Sequence, residues 1–268
     1  MTLIDGCEKL NRLMPREISG HIIAFNEELG LARAIRSLQK LCDEVIVVDS
    51  GSTDRSRAIA LELGALVIEQ KFLGDGLQKQ VYVDRAKNDW ILSLDGDEEL
   101  SPALIEEVSG LDLSDLEVGY SFARKNFVGN RWIRAAGFYP DRKLRLYNRK
   151  TSKYEDTQKH ARVMAPKEKK INSEILHRTY QNYSDWIRTI EKLSEMDARS
   201  LYSETNLPVS STRPVIRSGL AFFKKLFLKG GIFQGLDGWT VAITTAFHVF
   251  MKYLKLNELR EGSSQKNV

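Results

Sequence analysis

Val45-Ile-Val-Val-Asp-Ser-Gly-Ser-Thr-Asp54 is the stretch that decides the fold. Four apolar, β-branched residues make a run too short for a helix and suited to a buried strand. The run stops on an acid and turns through a glycine. Apolar residues at helical spacing follow over 54–63, through Ala58, Ile59 and Leu63, with Ser52 or Thr53 as the expected N-cap. The same unit stands upstream: Ile18 to Phe25 reads as a strand, and 28–41 carries Leu31, Ala34, Ile35, Leu38 and Leu41 at helical spacing. Downstream, Ala65 to Ile68 is a third strand, Val81 to Lys87 looks helical, and Trp90 to Leu94 is a fourth strand ending at Asp95. This alternation predicts a parallel, doubly wound α/β sheet. Ligands of such sheets bind beyond the carboxyl ends of the strands. Asn26-Glu27, Asp49 and Asp95-Gly-Asp97 therefore mark where a site is expected.

Beyond residue 119 the rhythm changes. Tyr120 to Phe122, Lys143 to Tyr147 and His160 to Met164 are short aromatic or β-branched runs among basic residues, read as an antiparallel or mixed extension of the sheet. Ser184 to Tyr202 is helical, 203–214 is a loop rich in Ser, Thr and Pro, and 214–256 is helical again, broken by glycines. The expected division is a first domain over 1–183 and a helical region over 184–268.

Of 268 residues, 40 are Lys or Arg and 36 Asp or Glu, for a net charge of +4. Such a balance argues against a nucleic-acid binder, whose basic face dominates the total. The average hides a gradient. Residues 1–123 carry 12 bases and 23 acids, whereas 124–178 carry 16 bases and 5 acids. The basic segment is expected to line an acceptor side, with Arg134, Arg142, Arg145 and Arg149 as phosphate binders. Cys7 and Cys42 are too few for a disulfide scaffold, the first residues lack a signal-like pattern, and no stretch is apolar over the ~18 residues a membrane helix needs. The expectation is a cytoplasmic protein, peripheral on a membrane at most.

Three constellations carry chemistry. In Leu92-Ser-Leu-Asp95-Gly-Asp97-Glu-Glu99, two carboxylates at i and i+2 follow a core strand, and a glycine between them lets both face one ion. Oxygen ligands of this kind suit Mg2+ or Mn2+ shared with substrate phosphates; the alternative is a solvated acidic turn with Glu98 and Glu99 at a helix start. Asp49 at its strand end can accept from a ribose hydroxyl or a base N–H, or merely cap a turn. In Ile22-Ile-Ala24-Phe25-Asn-Glu27-Glu28, Phe25 can stack on a base, or the segment is only a core strand and a helix start.

Taken together, in this order and spacing, these segments resemble the nucleotide-sugar-binding half of family 2 glycosyltransferases, which have the GT-A fold. The resemblance covers residues 18 to about 180, including Phe72-Leu-Gly-Asp-Gly-Leu-Gln-Lys79-Gln80 and Ala86-Lys-Asn-Asp-Trp90. It narrows toward bacterial lipopolysaccharide-core β-glucosyltransferases on Asp95–Glu99, on Tyr139-Pro-Asp-Arg-Lys-Leu-Arg-Leu-Tyr-Asn-Arg149, and on Ile175-Leu-His177-Arg-Thr-Tyr180. The resemblance implies a mixed GT-A sheet flanked by helices. It further implies an inverting transfer of a hexose, glucose by default, from a UDP-sugar to a lipopolysaccharide-core or other glycolipid acceptor. By carry-over, Ala24, Phe25, Glu27, Asp49, Lys79 and Asp95 would bind the nucleotide sugar, with Asp95, Asp97 and His177 on Mg2+ or Mn2+. The family pattern has a His-Glu pair where this chain has His160-Ala161, so the general base falls to Glu155, Asp156 or His160. A nucleotide-sugar binder with impaired catalysis and a nucleotidyltransferase are the competing readings.

Thr205 to Leu236 contains no acid, while Arg213, Arg217, Lys224, Lys225 and Lys229 are basic. Ile216, Leu220, Phe223 and Phe227 share one helical face beside a basic stripe. Such a helix can lie on an anionic membrane or pack on the main domain with its basic edge in water.

Overall fold

A computed structural model describes residues 17–155, 162–205 and 211–265. Among these, the strands are β1 (Ile18–Ala24), β2 (Glu44–Asp49), β3 (Leu66–Glu69), β4 (Trp90–Asp95), β5 (Glu98–Leu100), β6 (Val118–Val128), β7 (Arg131–Trp132), β8 (Asp141–Asn148), β9 (Lys153–Tyr154), β10 (Val163–Met164) and β11 (Lys167–Tyr180). The helices are α1 (Leu31–Leu38), α2 (Ser56–Glu62), α3 (Asp75–Val83), α4 (Pro102–Ser109), α5 (Tyr183–Glu204), α6 (Arg213–Phe223) and α7 (Gly235–Gln265). The main sheet runs β3-β2-β1-β4-β8-β6-β11-β5, with β7 paired to β6, and β9 and β10 form a separate ribbon. Strands β1 to β4 are parallel; β8 pairs antiparallel with β4 and β5 with β11. The fold is the expected mixed sheet flanked by helices.

Alternation along the strands sorts residues to the two sheet faces. Val45 and Val47 of β2 and Leu92 and Leu94 of β4 join α1 and α4 in one core. Ile46, Val48 and Ile91 pack with Tyr82 of α3 and Tyr147 of β8 on the other. A helix of eight residues is too short to hold by propensity alone. Helix α1 is held by burying Leu31, Ala34, Ile35 and Leu38 at i, i+3, i+4 and i+7. Helix α3 begins upstream of the expected Val81, because Gln78, buried and bonded to Ser50 Oγ, Gln70 O and Leu73 N, organises the segment before it.

The chain divides into two compact units. The first is the described chain up to Arg124 together with Arg142–His177. The second is Lys125–Asp141 with Arg178 onward. The boundaries fall inside β6 and β11, so the second unit takes in residues 125–141, which chain order alone would place with the first domain. In the second unit, Trp186, Ile190, Ser194 and Ala198 make one buried stripe on α5, capped by Asn182, which accepts from Asp185 N at 2.9 Å. Trp186 and Ile190 of that stripe join Val128, Ile133, Ala135, Ala136 and Val241 in a core of its own.

Candidate active site

Strand register lines up the functional ends. Ala24 of β1 is level with Asp49 of β2, and Ile23 with Asp95 of β4. The two acids thus flank the end of β1, which continues into Phe25, Asn26 and Glu27. Phe25 is exposed, as a base-stacking ring requires, and buried Ala24 accepts from Ser50 N at 2.9 Å through its carbonyl.

The two loops at this edge lock each other. Asn26, at φ +58°, donates its N–H to Ser52 Oγ (3.0 Å) and accepts from Thr53 N (2.8 Å). Glu27 N donates to Ser56 Oγ, and Arg55 N to Glu28 Oε2. Ser52 and Thr53 are therefore committed to the neighbouring loop and do not cap α2; Asp54 Oδ1 takes the Ser56 N–H instead, at 2.9 Å.

Asp49 accepts from Gly51 N (3.0 Å) and Ser52 N (2.9 Å) through Oδ1. Its other oxygen, Oδ2, is buried with no hydrogen-bond partner. An unpartnered buried carboxylate oxygen is costly and marks a place for a donor. A base or ribose donor is one of the two readings the sequence offers for this position; the hydrogen-bonded Oδ1 serves the other, the turn cap.

Asp95, Gly96 and Asp97 turn out of β4 into β5. The turn is close to the first loop: a Cβ on Gly30 would stand 2.6 Å from Gly96 O, and one on Gly96 would stand 2.7 Å from Glu27 Cγ. Glycine at both positions is what lets Glu27 approach the two aspartates. Burial first, then the charges of Asp97 and Asp95, push the Glu27 carboxyl up to about 7. A positive charge nearby would relieve this repulsion.

The structure separates the two aspartates chemically. Asp95 is gripped by Arg145, Nη1 to Oδ1 at 3.2 Å and Nη2 to Oδ2 at 2.5 Å. Desolvation opposes its ionisation, yet the charge and hydrogen bonds of Arg145, helped by Lys79 and Arg124, hold it well below the usual carboxylate range. Asp97 instead meets His177, Oδ2 to Nε2 at 3.0 Å. Burial would lower the His177 imidazole, but the hydrogen bond and charge of Asp97 raise it above the ordinary histidine value. The β5–β11 pairing sets His177 opposite Glu98, which is why a residue 80 positions on reaches Asp97.

Among the described residues no three His, Cys, Asp or Glu side chains gather at metal-ligand spacing. Asp97 and His177, 3.0 Å apart, are nevertheless a carboxylate and an imidazole of the kind a divalent cation accepts. Asp95, with both oxygens on a guanidinium, fits that role less well.

Sequence reasoning did not find the partnership of Glu98 with Arg124 and Arg145. Glu98 is not at a helix start. It lies on β5 with its side chain fully buried, accepts from Arg145 Nη2 (2.7 and 2.8 Å) and Arg124 Nη1 (3.0 Å), and takes the Asp95 N–H at 3.0 Å. The expected phosphate binders are likewise occupied. Arg142 donates to Ser121 O and Ile171 O, Arg145 to Asp95 and Glu98, and Arg149 to Asp89, Val83 O and Ala86 O. Much of the charge gradient is thus pairing within the first unit, base of the later segment against acid of the earlier. Arg134 is the exception: exposed, it stacks 4.2 Å from the Trp132 ring.

Lys79 is buried on α3, its Nζ 5.7 Å from the Tyr154 ring. Glu155 is exposed at the end of β9, its N–H donating to Arg162 O at 2.8 Å. Asp156, His160 and Ala161 lie outside the described residues.

Several known proteins are similar to this chain. An uncharacterized glycosyltransferase of Rickettsia bellii is 34% identical over 265 residues, spanning 93% of this chain and 89% of that protein. The lipopolysaccharide core biosynthesis glycosyltransferase LpsC of Rhizobium meliloti is 27% identical, spanning 94% and 96%. Among solved structures, glucosyl-3-phosphoglycerate synthase of Mycobacterium tuberculosis, in complex with Mn2+ and UDP-glucose, is 25% identical over 48% of each chain, with a TM-score of 0.34. The likeness spans just under half of that synthase. Residues 19–167, more than half of the chain and the whole of the site just described up to β11, match the glycosyl transferase family 2 model. This chain belongs to glycosyltransferase family 2.

Proposed function

We propose that the protein is an inverting hexosyltransferase that moves glucose from a UDP-sugar to a lipopolysaccharide-core or related glycolipid acceptor at the cytoplasmic side of the membrane. The observation that carries the reading is the convergence on one sheet edge of an orphaned Asp49 oxygen, an exposed Phe25, and the Glu27–Asp97–His177 group. The relative named for lipopolysaccharide core biosynthesis supports the acceptor class.

Phe25 stacks on the base and Asp49 Oδ2 accepts from the nucleoside. Asp97 and His177, with Glu27 beside them, hold Mg2+ or Mn2+, which when bound neutralises charge on the leaving diphosphate. Lys79 and Arg145 set the positive potential around Asp95. The acceptor hydroxyl gives its proton to Glu155, Asp156 or His160, its oxygen bonds to the anomeric carbon, and the bond from that carbon to the diphosphate breaks from the opposite face. UDP leaves and the anomeric configuration inverts.

A thermal-shift panel of nucleotide sugars, with and without Mn2+, tests the donor side. A metal-dependent shift with UDP-glucose is expected; a shift with no nucleotide sugar defeats the reading. Transfer assays on Glu155→Gln, Asp156→Asn and His160→Ala identify the base. Donor binding without transfer to any core acceptor, in the unaltered chain, would instead support the binder with impaired catalysis.

A further inference from the structure

The second unit carries an apolar surface that nothing in the reaction uses. Ile216, Leu220 and Phe223 on α6 and Phe227 just after it are all exposed, between 45% and 59%. Their spacing places them on one face, and none of the described residues of the unit buries that face. Beyond it the chain turns at Gly230, φ +67°, into a short 3-10 turn whose Phe233 is 90% exposed, and Leu236 follows at 74%.

This tip is held in place. Gly231 and Gly238 meet so closely that a Cβ on Gly238 would overlap the Gly231 carbonyl oxygen. Leu226 is buried beneath, and Lys225 Nζ donates to Ala136 O at 3.0 Å. Gln234 Oε1 accepts from Ala136 N at 2.6 Å. Phe233 and Leu236 are therefore displayed by a packed scaffold.

The electrostatics name the occupant. Asp237 is the only acid from Thr205 to Asn257, and Arg131 neutralises it bidentately at 2.9 and 3.2 Å. Arg217, Lys224 and Lys229 are exposed beside the apolar residues. An apolar ridge flanked by bases, its adjoining acid paired, matches an anionic bilayer interface, where rings and leucines enter the acyl boundary and bases meet head groups. No helix among the described residues is long and apolar enough to cross a membrane.

We infer that α6 and the Gly230–Leu236 tip form a membrane-docking surface that inserts Phe233 and Leu236 into an anionic lipid interface. The inference does not depend on the reaction proposed above.

The test is co-sedimentation of the full chain with vesicles of phosphatidylcholine alone and of an equal mixture with phosphatidylglycerol, at low and high salt. Pelleting with the anionic vesicles, weakened by salt, is expected. Phe233→Asp lowers the partition more than tenfold, and Lys224→Ala and Lys229→Ala lower it about fivefold each. All three changes lie on exposed side chains, and UDP-sugar thermal shifts stay at the level of the unaltered chain, which separates loss of docking from loss of the donor site. Absence from the anionic pellet at low salt overturns the inference, as does pelleting that Phe233→Asp leaves unchanged. A dimer in sedimentation velocity that Phe233→Asp dissolves, without vesicle binding, would overturn it too and give the face to a second copy.

Discussion

Arg145 closes both guanidinium nitrogens on the two carboxylate oxygens of Asp95, while Asp97, two residues on, is left to His177. The two halves of one Asp-Gly-Asp motif are therefore held differently: the first is the counter-ion of a guanidinium, the second is paired with an imidazole.

Removing Asp97 should thus abolish metal dependence as well as activity. Asp97→Ala is expected to lower transfer at least 100-fold, the scale of losing a group that stabilises developing charge. Excess EDTA should do the same to the unaltered chain. Transfer that survives both the substitution and the chelator would sink the metal assignment.

Arg145 also satisfies Glu98, whose side chain has no exposure to water. Stripping one partner from a buried pair costs roughly 3–5 kcal/mol, because the other charge stays buried. Arg145→Met is expected to lose that much in urea unfolding, and Glu98→Gln added to it should restore part. Arg124, 3.0 Å from Glu98, limits the damage. A loss under about 1 kcal/mol would show the pair to be solvated.

His21 predicts a pH dependence of stability. Its ring stacks on Tyr82 with both nitrogens buried and unpartnered. Burial first, then the Lys79 charge, holds its pKa well below the ordinary value. The folded protein keeps His21 neutral while the unfolded chain protonates at about 6.5. Stability contributed by the neutral ring is therefore fully present above pH 6.5. It falls below that at about 1.4 kcal/mol per pH unit, until the folded pKa is reached. Comparing urea midpoints of the unaltered chain and His21→Gln between pH 7 and 5 isolates the slope; equal slopes would count against it.

Asp49→Asn keeps Oδ1 for the Gly51 and Ser52 amides and turns the orphaned Oδ2 into a donor. UDP affinity should drop about tenfold or more, the value of a hydrogen bond to a charged acceptor, with the melting temperature in the absence of ligand little changed. Calorimetric titration with UDP reads this directly, and unchanged affinity would mean that Asp49 only caps its turn.

Local periodicity determined much of this protein in advance. The strand-and-helix alternation, the acids at strand ends and the apolar stripe of Ile216, Leu220, Phe223 and Phe227 are patterns written over neighbouring residues, and the fold keeps them. Partnership is not local. Glu98 follows Asp97 in an acidic run and reads as a helix start, yet the sheet order β4-β8-β6-β11-β5 brings Arg145 and Arg124 onto it from 47 and 26 residues away. Arg142 and Arg149 look like anion binders until strand pairing and chain packing place carbonyls and Asp89 around them. Which acid is a ligand, which base is already spent, and that the apolar stripe faces outward depend on neighbours supplied by distant strands and helices. Charge and apolar pattern told what these side chains need, and only tertiary packing decided what each one meets.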